Sequence, residues 1–168
     1  MPTRLVSASY LRSFIFGVED SLVSTVGLVS GLALAGVVGV QILLTGVILV
    51  FVEAFSMAAG EYLSERSSEE YLEQGAVAPW QSIVASVIMF VSYLVSGIIP
   101  IAPYALLTPQ IAFTVSVVGS LFTLFLLGLL GARVTGTPLL SRATQMAVVG
   151  GMAIILGIAV GQLTGLAV

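Results

Sequence analysis

Three residues with metal-binding side chains recur at four-residue steps in one apolar stretch of the sequence: Glu53, Met57 and Glu61. Residues four apart lie on the same face of an α-helix, so this spacing places two carboxylates and a thioether in one line. Carboxylate oxygens bind hard cations, and a thioether favours softer ions such as ferrous iron or manganese. The pattern therefore predicts a pathway for a divalent transition metal.

A further acid, Asp20, lies in a separate apolar stretch beside Glu19, which we place at the membrane interface. An ionisable residue inside a membrane span usually faces a cavity, a partner or an ion path, because its burial in lipid is costly. We therefore assign four residues to a pathway for metal ions and protons, namely Asp20, Glu53, Met57 and Glu61. A carboxylate in such a span binds either a proton or a metal ion, so the two compete. The alternatives are a structural hydrogen bond for Glu53 and core packing for Met57.

The four-residue step continues beyond the apolar stretch. Glu65, Glu69 and Glu73 extend the line, and Glu70 lies beside it. If the helix reaches that far, these carboxylates would collect metal at the cytoplasmic entrance of the pathway. The alternative is a solvated helix end, in which Arg66 pairs with Glu69 or Glu70 and the other acids face water.

The composition indicates a membrane protein that is not an enzyme. Of 168 residues, 58% are hydrophobic and 8% are charged, and the mean hydropathy is +1.18. The absence of histidine, cysteine and lysine leaves no evident activated nucleophile and no thiolate or imidazole ligand. A net charge of −3 argues against nucleic-acid binding. We expect no catalytic residue and no permanently bound cofactor; Fe²⁺ or Mn²⁺ would be cargo.

The elements that position these residues are predicted to be transmembrane helices. The chain carries no charge from Ser21 to Val52, and a helix of that length, roughly 48 Å, must fold back at residues 36–39. We predict an all-α integral membrane protein with a single transmembrane domain over residues 1–168. Its five helices cover about residues 14–35, 40–63, 80–99, 110–130 and 143–166, with an acidic cytoplasmic linker at about 64–79.

The arginines predict the orientation of these helices. Positive residues are retained in cytoplasmic loops, and five crossings place every arginine on one side of the membrane. They are Arg4, Arg12, Arg66, Arg133 and Arg142. We therefore predict a cytoplasmic N-terminus and an extracytoplasmic C-terminus. A cleaved signal sequence is disfavoured, because Glu19 and Asp20 would lie inside its apolar region.

Small residues recur in register on the first and fifth helices, where Gly27, Gly31, Gly157 and Gly161 would allow close helix packing. The packing could lie within one subunit or between two subunits, and a homodimer is compatible with it.

Two stretches resemble the vacuolar iron transporter family of nodulin-like membrane proteins. Gly17 to Ser24, with the sequence GVEDSLVS, is similar to the signature of the family's first helix. Glu53 to Ser64, which includes Ser-Met-x-x-Gly-x-Tyr, is similar to the signature of its second helix. Similarity is fainter from Gly97 to Tyr104 and in the fifth helix. The five-span plan covers nearly the whole chain.

This resemblance implies export of metal from the cytoplasm in exchange for protons, by a dimer whose first two helices line the path. It assigns metal or proton handling to Asp20 and metal coordination to Met57. Iron-transporting relatives typically carry an acid eight residues before the methionine, where this chain has Leu49 and instead places Glu53 one turn later. Many relatives also insert a cytoplasmic metal-binding domain between helices 2 and 3, so the resemblance is to a short form without that domain.

The sequence thus predicts a homodimeric, proton-coupled iron or manganese transporter in the lipid bilayer. Its partners would be divalent metal ions and protons. The membrane would be the plasma membrane of a prokaryote, or a vacuolar or organellar membrane of a eukaryote. Two alternatives remain open at this stage: a cation channel lined by the same acids, and a non-transporting scaffold subunit.

Overall fold

The described part of the chain forms five α-helices and no strand. The computed structural model describes residues 2–73 and 80–165, without the side chains of residues 2–6, 69, 72 and 73. The helices are α1 (Pro2–Leu34), α2 (Gly39–Glu73), α3 (Trp80–Leu106), α4 (Pro109–Thr135) and α5 (Leu139–Gly165). Each contains a segment of at least 27 residues that is long and apolar enough to cross a bilayer. The prediction of an all-α fold with five spans is confirmed, and the protein is a multi-pass integral membrane protein.

The first two helices are longer than predicted. Helix α1 begins at Pro2 rather than at about residue 14, and α2 continues to Glu73. The predicted linker is therefore wrong over residues 64–73, which are helical, whereas residues 74–79 lie outside the described part. Two ion pairs stabilise this extension of α2. Arg66 pairs with Glu70 one turn later at 2.9 Å, and Arg12 of α1 pairs with Glu65 of α2 at 2.9 Å.

Helix α3 continues through Pro100 and Pro103 to Leu106, although the sequence predicted an end near residue 99. Proline removes one backbone donor from a helix, which in water favours termination. Inside a bilayer the helix is favoured to continue, because an irregular segment in lipid would leave further backbone groups unpaired. Ser116 of α4 also donates a hydrogen bond of 2.8 Å to the carbonyl of Pro100, which joins this part of α3 to α4.

Two short turns use glycine in the left-handed region. Gly36, between α1 and α2, has φ of 81°, and Gly136, after α4, has φ of 72°. The backbone N–H of Gly136 donates to the carbonyl of Ala132, which ends α4. Both turns reverse the chain within a few residues, because glycine has no Cβ to resist this conformation.

Helix α1 lies at the centre of the bundle and contacts each of the other four helices. The extensive contacts of helix α2 are with α1 and α3. The buried face of α1 carries hydroxyl groups, including Ser13, Ser21, Thr25 and Ser30. Small polar residues of this kind let helices approach closely and form hydrogen bonds between helices inside a membrane.

The closest approach is between α1 and α5. A Cβ added to Gly31 would lie 2.5 Å from the carbonyl oxygen of Gly157. Cβ atoms added to Gly157 and Gly161 would overlap the carbonyls of Gly27 and Gly31. The structure therefore brings the four glycines into one contact within a subunit, where backbone packs directly on backbone.

Candidate functional site

Glu53 lies in the middle of α2, on the face that packs against α1 and α3. Its side chain is partly buried, whereas the neighbouring Val52 and Phe55 are exposed on the opposite face. The inward face follows from the helical period, since Val50 and Ala54 are buried and Met57 is partly buried on the same side. Glu53 therefore faces the interior of the bundle rather than lipid.

Two hydroxyl groups bind the Glu53 carboxylate. Ser24 of α1 donates a hydrogen bond of 2.9 Å to Oε2, and the Tyr93 hydroxyl of α3 donates to the same oxygen. The two hydroxyl oxygens lie 2.8 Å apart. Neither residue was assigned a role from the sequence. Tyr93 carried a detectable signal, because a tyrosine within an apolar span usually needs a polar partner.

Asp20 is the second acid that the structure brings to this region. It is partly buried on α1, one turn before Ser24, so both side chains lie on the same face. Its charge lies within electrostatic range of Glu53 and Glu19. Two acids from different helices therefore share one interior region, and a cation between them would relieve their mutual repulsion.

Met57 follows Glu53 by one turn of α2. It is partly buried and packs against a hydrophobic cluster that contains Val50, Ala54 and Tyr93. Its thioether thus lies on the same face as the carboxylate, as the spacing predicted. This position fits packing as well as coordination.

Glu61 and Glu65 have a cationic partner. Arg12 lies 3.0 Å from Glu61 and 2.9 Å from Glu65, and these carboxylate side chains are 10% and 18% exposed. Ser13 donates to Glu61 and Ser9 donates to Glu65, each at 2.5 Å. The predicted line of acids is therefore divided: Glu53 binds hydroxyls, and the next two acids bind an arginine.

Glu69, Glu70 and Glu73 are the remaining acids of the predicted entrance. Glu70 is exposed and pairs with Arg66, as in the solvated-helix alternative. The side chains of Glu69 and Glu73 lie outside the described residues. Within the described part of the chain, no group of three acids is close enough together to hold a metal ion.

An open cavity of about 680 Å³ lies at the end of the bundle that carries the arginines. Arg12 and Glu61 line one side, and Arg142 lies on another. Glu19 also lines this cavity, within electrostatic range of Arg142. Glu19 thus faces the cavity at this end, whereas Asp20, the next residue, interacts with Glu53.

Removing the cation that bridges Glu61 and Glu65 should uncover a second metal-binding position. We expect Arg12→Gln to raise Mn²⁺ binding at this end severalfold, because two carboxylates one turn apart on the same helix, without a cation between them, attract a divalent ion. Calorimetric titration of purified protein with Mn²⁺ measures the change. Arg133→Gln is the control, since Arg133 is exposed and forms no ion pair among the described residues. Equal Mn²⁺ binding by the two variants would contradict the expectation.

Comparison with known proteins identifies the family. A model of the VIT family matches residues 11–78 and 72–162, which together cover most of the chain. The chain belongs to the VIT family. The resemblance to vacuolar iron transporters is thereby confirmed. A comparison with curated proteins finds no match.

Membership of the VIT family implies transport of metal ions across a membrane. The first match includes Asp20, Glu53 and Met57, so the acid-bearing faces of α1 and α2 belong to the family's own region. The second match covers α3, α4 and most of α5, and it includes Tyr93. The chain is a membrane metal-ion transporter of this family.

Proposed function

We propose that this VIT family protein exports ferrous iron or manganese from the cytoplasm in exchange for protons. The observation that carries the proposal is the environment of Glu53. This carboxylate lies inside the bundle with hydroxyl partners and with Asp20 nearby, and no arginine pairs with it among the described residues. A carboxylate without a fixed counter-ion is available to a mobile cation.

Exchange follows from competition at the same carboxylates. Metal binding requires ionised Glu53 and Asp20, and protonation of either acid displaces the metal. Met57, one turn away on the same helix face, adds a thioether that favours transition metals over magnesium. The metal is cargo, so no permanently bound cofactor takes part. No step of this mechanism requires a catalytic residue.

We further propose that the functional unit is a homodimer with α1 and α2 of both subunits along the path. The resemblance to vacuolar iron transporters, in which the first two helices of a dimer line the path, supports this proposal. The outward face of α2 is apolar and exposed, with Phe51 at 60% and Phe55 at 70% exposure, so it is free to contact lipid or a second subunit.

The direction of transport rests on the end of the bundle that carries the arginines, which we place in the cytoplasm. Arg12 and Arg142 line one cavity there, beside Glu19 and Glu61. Metal would enter this cavity from the cytoplasm and pass inward to Glu53 and Asp20. The membrane would be a prokaryotic plasma membrane or a vacuolar or organellar one.

Flux measurements in proteoliposomes test this proposal. We expect Fe²⁺ or Mn²⁺ flux to increase at least severalfold under an opposing pH gradient. Protons that move down their gradient would drive metal ions across the membrane in the opposite direction. Empty liposomes and proteoliposomes without a gradient are the controls. Flux that is independent of the gradient would contradict exchange and support a channel. Absence of flux from folded protein would support a scaffold role.

A further inference from the structure

Tyr93 is held firmly in place beside the candidate pathway. Its side chain is fully buried, and its ring packs with Val50, Ala54 and Ile101. Its backbone carbonyl accepts a hydrogen bond of 2.7 Å from Ser21 of α1. The hydroxyl therefore reaches Glu53 from a position that α1, α2 and α3 fix together.

The hydrogen bonds described at the Glu53 carboxylate all end on one oxygen. Ser24 of α1 and Tyr93 of α3 both donate to Oε2. Hydrogen bonds to a charged acceptor are stronger than those between neutral groups, so two of them hold the carboxylate in one orientation. Oε2 is then occupied by donors, and Oε1 is the oxygen that remains for a cation.

We propose that Tyr93, with Ser24, restricts Glu53 to coordination through a single oxygen and thereby selects small transition-metal ions against calcium. Ca²⁺ takes six to eight oxygen ligands and often binds both oxygens of one carboxylate. A carboxylate whose second oxygen already accepts two hydrogen bonds does not bind Ca²⁺ through both oxygens. The affinity for Mn²⁺ and Fe²⁺ is reduced less, because these ions take fewer ligands and also accept the Met57 thioether. The inference rests on the proposed function and names Tyr93 and Ser24 as positioning residues.

The test compares two tyrosines of the same helix. Tyr93→Phe removes only the hydroxyl that binds Glu53 and keeps the buried ring. Tyr104→Phe is the matched control, since Tyr104 is 6% exposed and its hydroxyl has no described hydrogen-bond partner. Equilibrium competition between Mn²⁺ and Ca²⁺ on purified protein in nanodiscs gives the affinity ratio, and initial rates of both ions in proteoliposomes give the transport ratio.

We expect Tyr93→Phe to lower the preference for Mn²⁺ over Ca²⁺ by roughly tenfold, mainly through tighter Ca²⁺ binding, with no change of preference in Tyr104→Phe. Ser24→Ala should change the ratio in the same direction, and it provides the same test if Tyr93→Phe does not fold. An unchanged ratio, or an equal loss of affinity for both ions, would overturn the inference. Selective binding without flux would support the positioning role and contradict transport.

Discussion

Replacing Glu53 by glutamine should reduce metal flux roughly a hundredfold while the protein remains folded. The amide keeps the size of the side chain and an oxygen that accepts hydrogen bonds from Ser24 and Tyr93. It loses the negative charge, and a unit charge near a cation contributes about 4 kcal/mol at the effective dielectric of a protein. Initial rates of Mn²⁺ and Fe²⁺ flux in proteoliposomes measure the effect, and thermal unfolding in detergent shows that the fold persists.

Glu70→Gln is the matched control for this substitution. Glu70 lies on the same helix, but it is exposed and its partner is Arg66. Its loss should leave flux within about a factor of two, because exposed ion pairs contribute little. If Glu53→Gln kept half of the wild-type rate, Glu53 would be a structural residue and the pathway would have to be sought elsewhere.

The substitution Gly157→Ala should destabilise the bundle by about 2 kcal/mol or more. In an isolated helix the same change is favourable by about 1 kcal/mol, because alanine has the higher helix propensity. In this bundle the added Cβ overlaps the backbone carbonyl of Gly27, which has no rotamer to adjust. Helices α1 and α5 must then separate, and α1 carries Asp20 and Ser24. The melting temperature in detergent and the rate of flux should both fall.

Gly151→Ala separates close packing from helix propensity. Gly151 lies on the same helix, and a Cβ added there meets no atom within 4 Å. This variant should be as stable as the wild type or slightly more stable. Equal melting temperatures for Gly157→Ala and Gly151→Ala would show that the α1–α5 contact is looser than the structure has it.

Much of the fold could be predicted from the sequence because the bilayer limits the alternatives. Apolar stretches of this length must be helices, since lipid offers no partner for unpaired backbone groups. Helix ends were predicted less well. Pro100 and Pro103 indicated an end of α3, but the helix continues through both prolines to Leu106. The local rule failed because a continuous helix keeps most backbone groups paired inside a bilayer, whereas an irregular segment would leave more of them without a partner.

The candidate site, like the fold, could be predicted only in part from the sequence. Helical spacing alone placed Glu53 and Met57 on one face of α2, and two signature stretches indicated the family that was then found. Spacing could not show that Tyr93, 40 residues from Glu53, would bind it. Nor could it show that Arg12, 49 residues from Glu61, would pair with that acid.

The sequence by itself therefore determined the membrane class, the five helices and the face of α2 that carries the acids. Those properties depend on local hydrophobicity and on the helical period, both of which act over a few residues. Only the tertiary structure decided which acids have an arginine partner and which have hydroxyl partners. That choice depends on which helices lie side by side, and helix contacts in a membrane are set by the close packing of small residues such as Gly31 and Gly157.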